Sequence, residues 1–184
     1  MKSSIPWVGL ALIWVACAAP ITIVTDLEGN DVDPIGSESV TVLIFTRTDC
    51  PISNRYAPEI ERIHREFADQ GVDLWLVYVD PDETPVEIRQ HLAEYSYGLP
   101  ALRDPDHVLV ARTGAEITPE VAVFNERQEM VYRGRIDDRF VDFGKTRAEA
   151  TQHDLRETLQ ALVDDREVTL RTTSAVGCII SDLE

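Results

Sequence analysis

Apolar residues fall into two rhythms along this chain. Residues 40–46, Val40-Thr41-Val42-Leu43-Ile44-Phe45-Thr46, form an unbroken and largely β-branched run, which is how a strand buried on both faces of a central sheet reads. From 54 to 70 the period lengthens. Tyr56, Ile60, Ile63 and Phe67 recur at helical spacing and share one face of a predicted helix, which Gly71 ends and Pro58 is expected to kink near its start. A second buried strand is expected over 72–79, a helix over 84–95, and a short helical or irregular connection over 104–114. Before these, residues 21–25 read as a short strand ending in the turn residues Asp26-Leu27-Glu28-Gly29-Asn30.

The second half closes on a hairpin. Strands at 120–124 and 130–136, joined by 125–129, are spaced for antiparallel pairing. A last helix over 153–163 places Leu155, Leu159 and Leu162 on one face, and His153 suits its start. Between hairpin and helix the stretch 137–152 is polar, and an extended tail follows the helix. The order is that of an α/β chain.

At 184 residues and 44% hydrophobic, the chain is long enough for one well-buried core. Its first segment changes that picture. Lys2, the apolar run from Ile5 to Ala16 and small residues through Ala19 follow the order of an export signal, in a stretch short for a membrane span. Ala16-Cys17-Ala18 fits simple cleavage, whereas Val15-Ala16-Cys17 partly resembles a lipobox whose Cys17 would be acylated and anchor the protein to a membrane; Trp14 stands where such boxes prefer Leu. The expected organisation is therefore a signal peptide or lipoprotein signal at 1–19, a folded domain at 20–165, and a C-terminal tail at 166–184 carrying Cys178. Export to the periplasm or cell envelope places the remaining thiols, Cys50 and Cys178, in an oxidising compartment. A formal charge of −16 argues against nucleic acid, because neutralising phosphates needs clustered Lys and Arg.

The residues around Cys50 carry the strongest signal. The run Asp49-Cys50-Pro51-Ile52-Ser53-Asn54-Arg55-Tyr56-Ala57-Pro58-Glu59 resembles bacterial secreted redoxin-domain proteins, in the superfamily of alkyl hydroperoxide reductase and thiol-specific antioxidant. The segments Tyr132-Arg133-Gly134-Arg135-Ile136-Asp137-Asp138 and Ala175-Val176-Gly177-Cys178 look like their counterparts there. That resemblance implies a thioredoxin-like fold, a central mixed β-sheet flanked by helices in three α/β/α layers. It also implies a C-x-x-C-like start to the helix, here Cys50-Pro51-Ile52-Ser53, with Ser53 in place of the second cysteine and Pro58 at the family's offset. Thr118-Pro119 stands where such proteins carry a cis-proline beside the active cysteine, shaping the groove for an extended substrate. The partners implied are protein thiols and disulfides or peroxide, with an external thiol as reductant.

Physically, a cysteine at a helix N-terminus faces unpaired backbone N–H groups and the positive end of the helix dipole, which stabilises its thiolate. Asp49 opposes this, and Arg47 and Arg55 could offset it. Cys178, on a tail that Gly177 makes pliable, could resolve a sulfenic acid or mixed disulfide at Cys50, make a static bridge, or stay unpaired. The plainer reading of Cys50 is a buried, inert thiol.

The leading expectation is thiol–disulfide exchange, with Cys50 as nucleophile and Cys178 or an external thiol resolving. A thiol peroxidase is the alternative within enzymes, although the usual peroxiredoxin pattern has Thr or Ser three residues before the cysteine, where this chain has Arg47; Thr46 and Thr48 flank it out of register. An envelope copper-binding module is the alternative outside them, but C-x-x-x-C and Met clusters are missing. His64, His91, His107 and His153 show no ligand spacing, so no metal ligand is assigned. The pairs Asp137-Asp138 and Asp164-Asp165 receive no catalytic role. No nucleotide or flavin motif is evident, and no cofactor is expected.

Overall fold

The computed structural model describes residues 22–180, so the expected export segment with Cys17 lies outside the described residues. The elements in chain order are β1 (Val24–Asp26), β2 (Asp31–Val32), β3 (Val40–Thr46), α1 (Pro51–Phe67), β4 (Val72–Tyr78), α2 (Pro85–Glu94), β5 (Ala101–Arg103) and α3 (Val108–Thr113). There follow β6 (Ile117–Thr118), β7 (Glu120–Phe124), β8 (Met130–Gly134), β9 (Phe140–Asp142), β10 (Lys145–Thr146), α4 (Asp154–Val163), β11 (Arg171–Thr172) and β12 (Cys178–Ile179).

Eight of these strands form one mixed sheet in the order β11-β8-β7-β3-β4-β5-β1-β2. The centre is β3, parallel to β4 and antiparallel to β7, and every residue of β3 is buried, as its β-branched run predicts. Side chains alternate across it. Val42 and Ile44 join α1, α2 and α4 in one core through Ile60, Phe67, Ile88, Leu155 and Leu159. Leu43 and Phe45 face the other way, into a core built with Leu109 and Val110 of α3. The result is helix, sheet, helix in three layers, with β9 and β10 forming a separate hairpin.

The expected α1 begins at residue 54, whereas the helix starts at Pro51 with Cys50 as its N-cap. Proline is well suited to that first position, where no N–H is needed. Pro58 lies inside the same helix, which continues unbroken to Phe67. The strand expected at 21–25 runs from Val24 to Asp26, and the one expected to end at 136 stops at Gly134. Gly134 has φ +145, and a Cβ there would lie 2.3 Å from the Thr173 carbonyl oxygen, so only glycine lets the tail approach β8. The tail is therefore part of the fold: β11 pairs with β8 and β12 with β6.

The connection expected at 104–114 holds α3, organised by a side chain. The buried Asp104 carboxylate accepts from the backbone N–H groups of Val108, Leu109 and Val110 at 2.7, 2.9 and 3.0 Å. Burial pushes its pKa up, and those three donors work against the rise. Replacing Asp104 by Ala strands three donors, two of them buried, and we expect a loss of about 2 kcal/mol or more in denaturant unfolding. An unchanged midpoint would contradict this account.

Candidate functional site

The chain leaves the sheet at Thr46, turns through residues 47–50, and enters α1. The Cys50 N–H donates to the Arg47 carbonyl at 3.4 Å, and the Cys50 carbonyl accepts from Asn54 N–H at 3.0 Å, which sets the first turn of the helix. With φ −79 and ψ 108, Cys50 has the extended backbone of an N-cap. Its side chain is 0% exposed, and its Sγ donates to the Thr118 carbonyl at 3.0 Å.

Thr118 brings the third part of the site. The Thr118–Pro119 bond is cis, as the family resemblance implies, and both residues are buried. On the outer side of Thr118 lies the tail, with Cys178 opposite Thr118 and Ile179 opposite Ile117 in antiparallel register. The Thr118 hydroxyl donates to the Cys178 carbonyl at 3.4 Å. Gly177 explains the closeness. A Cβ there would sit 2.0 Å from the Thr118 carbonyl oxygen, so this glycine serves a tight backbone approach rather than the pliability expected of it.

Cys50 and Cys178 are thus unbonded thiols within hydrogen-bonding reach of one another. Burial pushes the Cys50 thiol up, but the hydrogen bonds its thiolate would accept from the Cys178 thiol, from the Ser53 hydroxyl and backbone N–H, and from the Thr118 hydroxyl outweigh it and hold Cys50 below its ordinary 9.0. The Ser53 hydroxyl is buried without a fixed partner, so it is free to turn toward a thiolate when one forms. Cys178 moves oppositely. Burial, the hydrogen bond it donates to Cys50 and the negative charge there push it up to about 12. Of this pair, Cys50 is the thiol whose ionised form is favoured and Cys178 the one whose ionised form is disfavoured.

The loop before Cys50 is held from both sides. Asn54 Nδ2 donates to the Thr48 carbonyl at 2.9 Å, and Asn54 Oδ1 meets His91 Nε2 at 2.8 Å. That contact makes Nε2 the donor, so His91 Nδ1 accepts from the Tyr78 hydroxyl at 2.8 Å. Burial keeps His91 below its ordinary pKa, which suits this neutral tautomer. On the other side, the buried Glu83 carboxylate accepts from Thr48 N–H at 2.6 Å. Glu120 does the same for the opposing strand, accepting from the N–H groups of Glu116 and Ile117. Sequence reading missed His91, Glu83 and Glu120, because none has a spacing that announces it.

The remaining expected groups divide. Ser53 stands at the sulfur, and Pro51 is exposed at the helix start. Arg47 pairs with Asp49 at 3.2 Å and Asp80 at 2.8 Å, which offsets the Asp49 charge. Arg55, the other cation offered for that purpose, is exposed and has no ion pair among the described residues. Asp137 accepts from the Tyr56 hydroxyl at 2.6 Å, and Asp138 binds Thr151 and Arg147, so this acidic pair orders the connection to α4. Among the described residues no three His, Cys, Asp or Glu side chains come together to hold a metal ion.

The model of the AhpC/TSA family matches residues 15–134. The chain is 26% identical over 110 residues to the thiol-disulfide oxidoreductase ResA of Halalkalibacterium halodurans, covering 59% of this chain and 61% of that protein. A solved structure of an uncharacterized conserved protein from Geobacillus kaustophilus superposes with a TM-score of 0.76 at 25% identity, over 88% of each chain. A secreted disulfide oxidoreductase of Mycobacterium tuberculosis shares the fold, with a TM-score of 0.55 at 16% identity over 79% of this chain and 96% of that one.

The electrostatics of the pair set its pH behaviour. Because only a thiolate is alkylated, the rate at Cys50 is expected to rise with pH through a midpoint below 9.0, well before Cys178 responds. Ser53→Ala removes one donor to the thiolate and should move the Cys50 midpoint up. A midpoint unmoved in that variant would show that Ser53 does not stabilise the thiolate.

Proposed function

The chain belongs to the AhpC/TSA family, and on that premise we propose that it is a thiol–disulfide oxidoreductase working through Cys50 and Cys178. The supporting observation is the free Cys50 thiol, held below its ordinary pKa at the start of α1 with the Cys178 thiol beside it. The Cys50 thiolate attacks one sulfur of a substrate disulfide, forming a mixed disulfide and releasing the other sulfur as a thiolate that takes up a proton. Cys178 then gives up its proton and attacks the Cys50 sulfur. The second substrate thiol leaves, and a Cys50–Cys178 bridge carries the two-electron oxidation until an external thiol reductant restores it. No cofactor enters these steps.

Exchange is favoured over peroxide reduction by the surroundings of Arg47. Where a hydroxyl would be wanted to hold a peroxide, this side chain is committed to Asp49 and Asp80. We further propose that the chain works after export, in the periplasm or cell envelope, where an oxidised pair persists.

Intact-mass mapping with and without reductant tests the reading. With a model disulfide, the wild-type chain is expected to give a reducible Cys50–Cys178 bridge, Cys178→Ser a trapped adduct on Cys50, and Cys50→Ser neither, with turnover at background. Two thiols that stay free under mild oxidant, with Cys50 inert to alkylation in the folded protein, would exclude it.

A further inference from the structure

A nucleophile that exchanges with a partner must be reachable, and Cys50 is not. It is 0% exposed beneath β6 and the tail. The tail reaches that position as a separate, shallow strand. Upstream it is tied at Thr173, whose N–H donates to the Arg133 carbonyl at 3.0 Å and whose hydroxyl meets the Tyr132 hydroxyl at 2.6 Å. Past Gly177 only Cys178 and Ile179 pair with β6, and the Ile180 N–H adds one bond to the Glu116 carbonyl at 2.9 Å. Ile179 points out, 74% exposed, whereas Ile180 is 2% exposed in the core that includes α3.

We propose that Gly177–Ile180 is an internal competitor for the β6 edge over Cys50, a strap that lifts before Cys50 exchanges, and that the edge selects partner segments resembling it, with glycine before the cysteine and an apolar residue two positions after it. The proposal rests on exchange at Cys50 and adds the regulation and sequence preference of that site. The preference follows from what now fills the edge. Main-chain pairing with Ile117 and Thr118 asks only for an extended strand, so another segment can take over those bonds. The side-chain demands are narrower. The residue before the cysteine must be glycine, because a Cβ would strike the Thr118 carbonyl, and the second residue after it must be apolar, to fill the space of Ile180. A cysteine opposite Thr118 then brings its sulfur onto Cys50, as Cys178 does. Once the strap is off, a partner disulfide sulfur is attacked by the Cys50 thiolate, giving the mixed disulfide and releasing the partner's other sulfur as a thiolate.

The test uses the full-length chain with Cys178→Ser, which removes the competing thiol and keeps the strand, alone and combined with Gly177→Val, which forces the strand off. The probe is the peptide Ala-Val-Gly-Cys-Ile-Ile activated as its 2-thiopyridyl disulfide, followed by thione release and by the mass of the Cys50 adduct. We expect Gly177→Val to speed the adduct about tenfold or more, as an opened segment allows. The same peptide with valine in place of its glycine should react much more slowly. Equal rates with and without Gly177→Val in a folded protein, or equal rates for the two peptides, would overturn the proposal. If Gly177→Val does not fold, hydrogen exchange on the wild-type chain decides. Exchange at residues 177–180 ahead of β3 and β7 supports a strand that lifts, and exchange only with global unfolding refutes it. Fast adduct formation without catalytic turnover would leave this proposal standing and end the oxidoreductase reading; turnover with indistinguishable strap variants would do the reverse.

Discussion

The contact between the Cys50 sulfur and the Ile117–Thr118 strand ties three distant parts of the chain into one unit. Burying a thiolate is unfavourable on its own, so a cysteine enclosed in this way would ordinarily stay protonated. Here the enclosure supplies the donors. The start of α1 contributes Ser53, β6 contributes Thr118, and the tail contributes the Cys178 thiol, and together they outweigh desolvation. Remove the tail from this arrangement and both the cover and one of the donors go with it. Burial and ionisation at Cys50 are therefore coupled through the same few residues.

Those residues hold their places because buried acids organise the loops that carry them. Glu83 fastens Thr48 before Cys50, and Glu120 fastens Glu116 and Ile117 before the cis-proline. For each carboxylate burial pushes the pKa up, and backbone N–H donors act against it. Part of the chain's large negative charge is thus architectural. Asp104 does the same for α3, and Asp137 and Asp138 for the approach to α4. The acidic residues behind the charge of −16 include carboxylates that replace secondary structure as partners for backbone groups.

How much was legible in advance follows from where each element gets its stability. The strand β3 and the helix α1 declare themselves, since a strand buried on both faces must be continuously apolar and a helix on one core must repeat its apolar face. The strands β5, β6, β9, β10, β11 and β12 are two or three residues long and exist only because a partner lies alongside, which no local pattern encodes. Cys50, Ser53, Thr118 and Cys178 were found through resemblance, not periodicity. The Tyr78–His91–Asn54 chain was not found, because a histidine in a hydrogen-bonded relay leaves the same trace in sequence as one facing solvent.

The asymmetry of the two thiols also gives the proposed cycle a direction. In a Cys50–Cys178 bridge the sulfurs are not equivalent, for Cys50 lies fully enclosed while Cys178 sits partly exposed on the outermost strand. A disulfide opens faster when the departing sulfur has the lower thiol pKa. Access and leaving-group chemistry agree: an external thiolate meets Cys178 and expels Cys50, whose charge Ser53 and Thr118 still favour. In the proposed cycle a second external thiol then opens the mixed disulfide at Cys178 and restores its thiol.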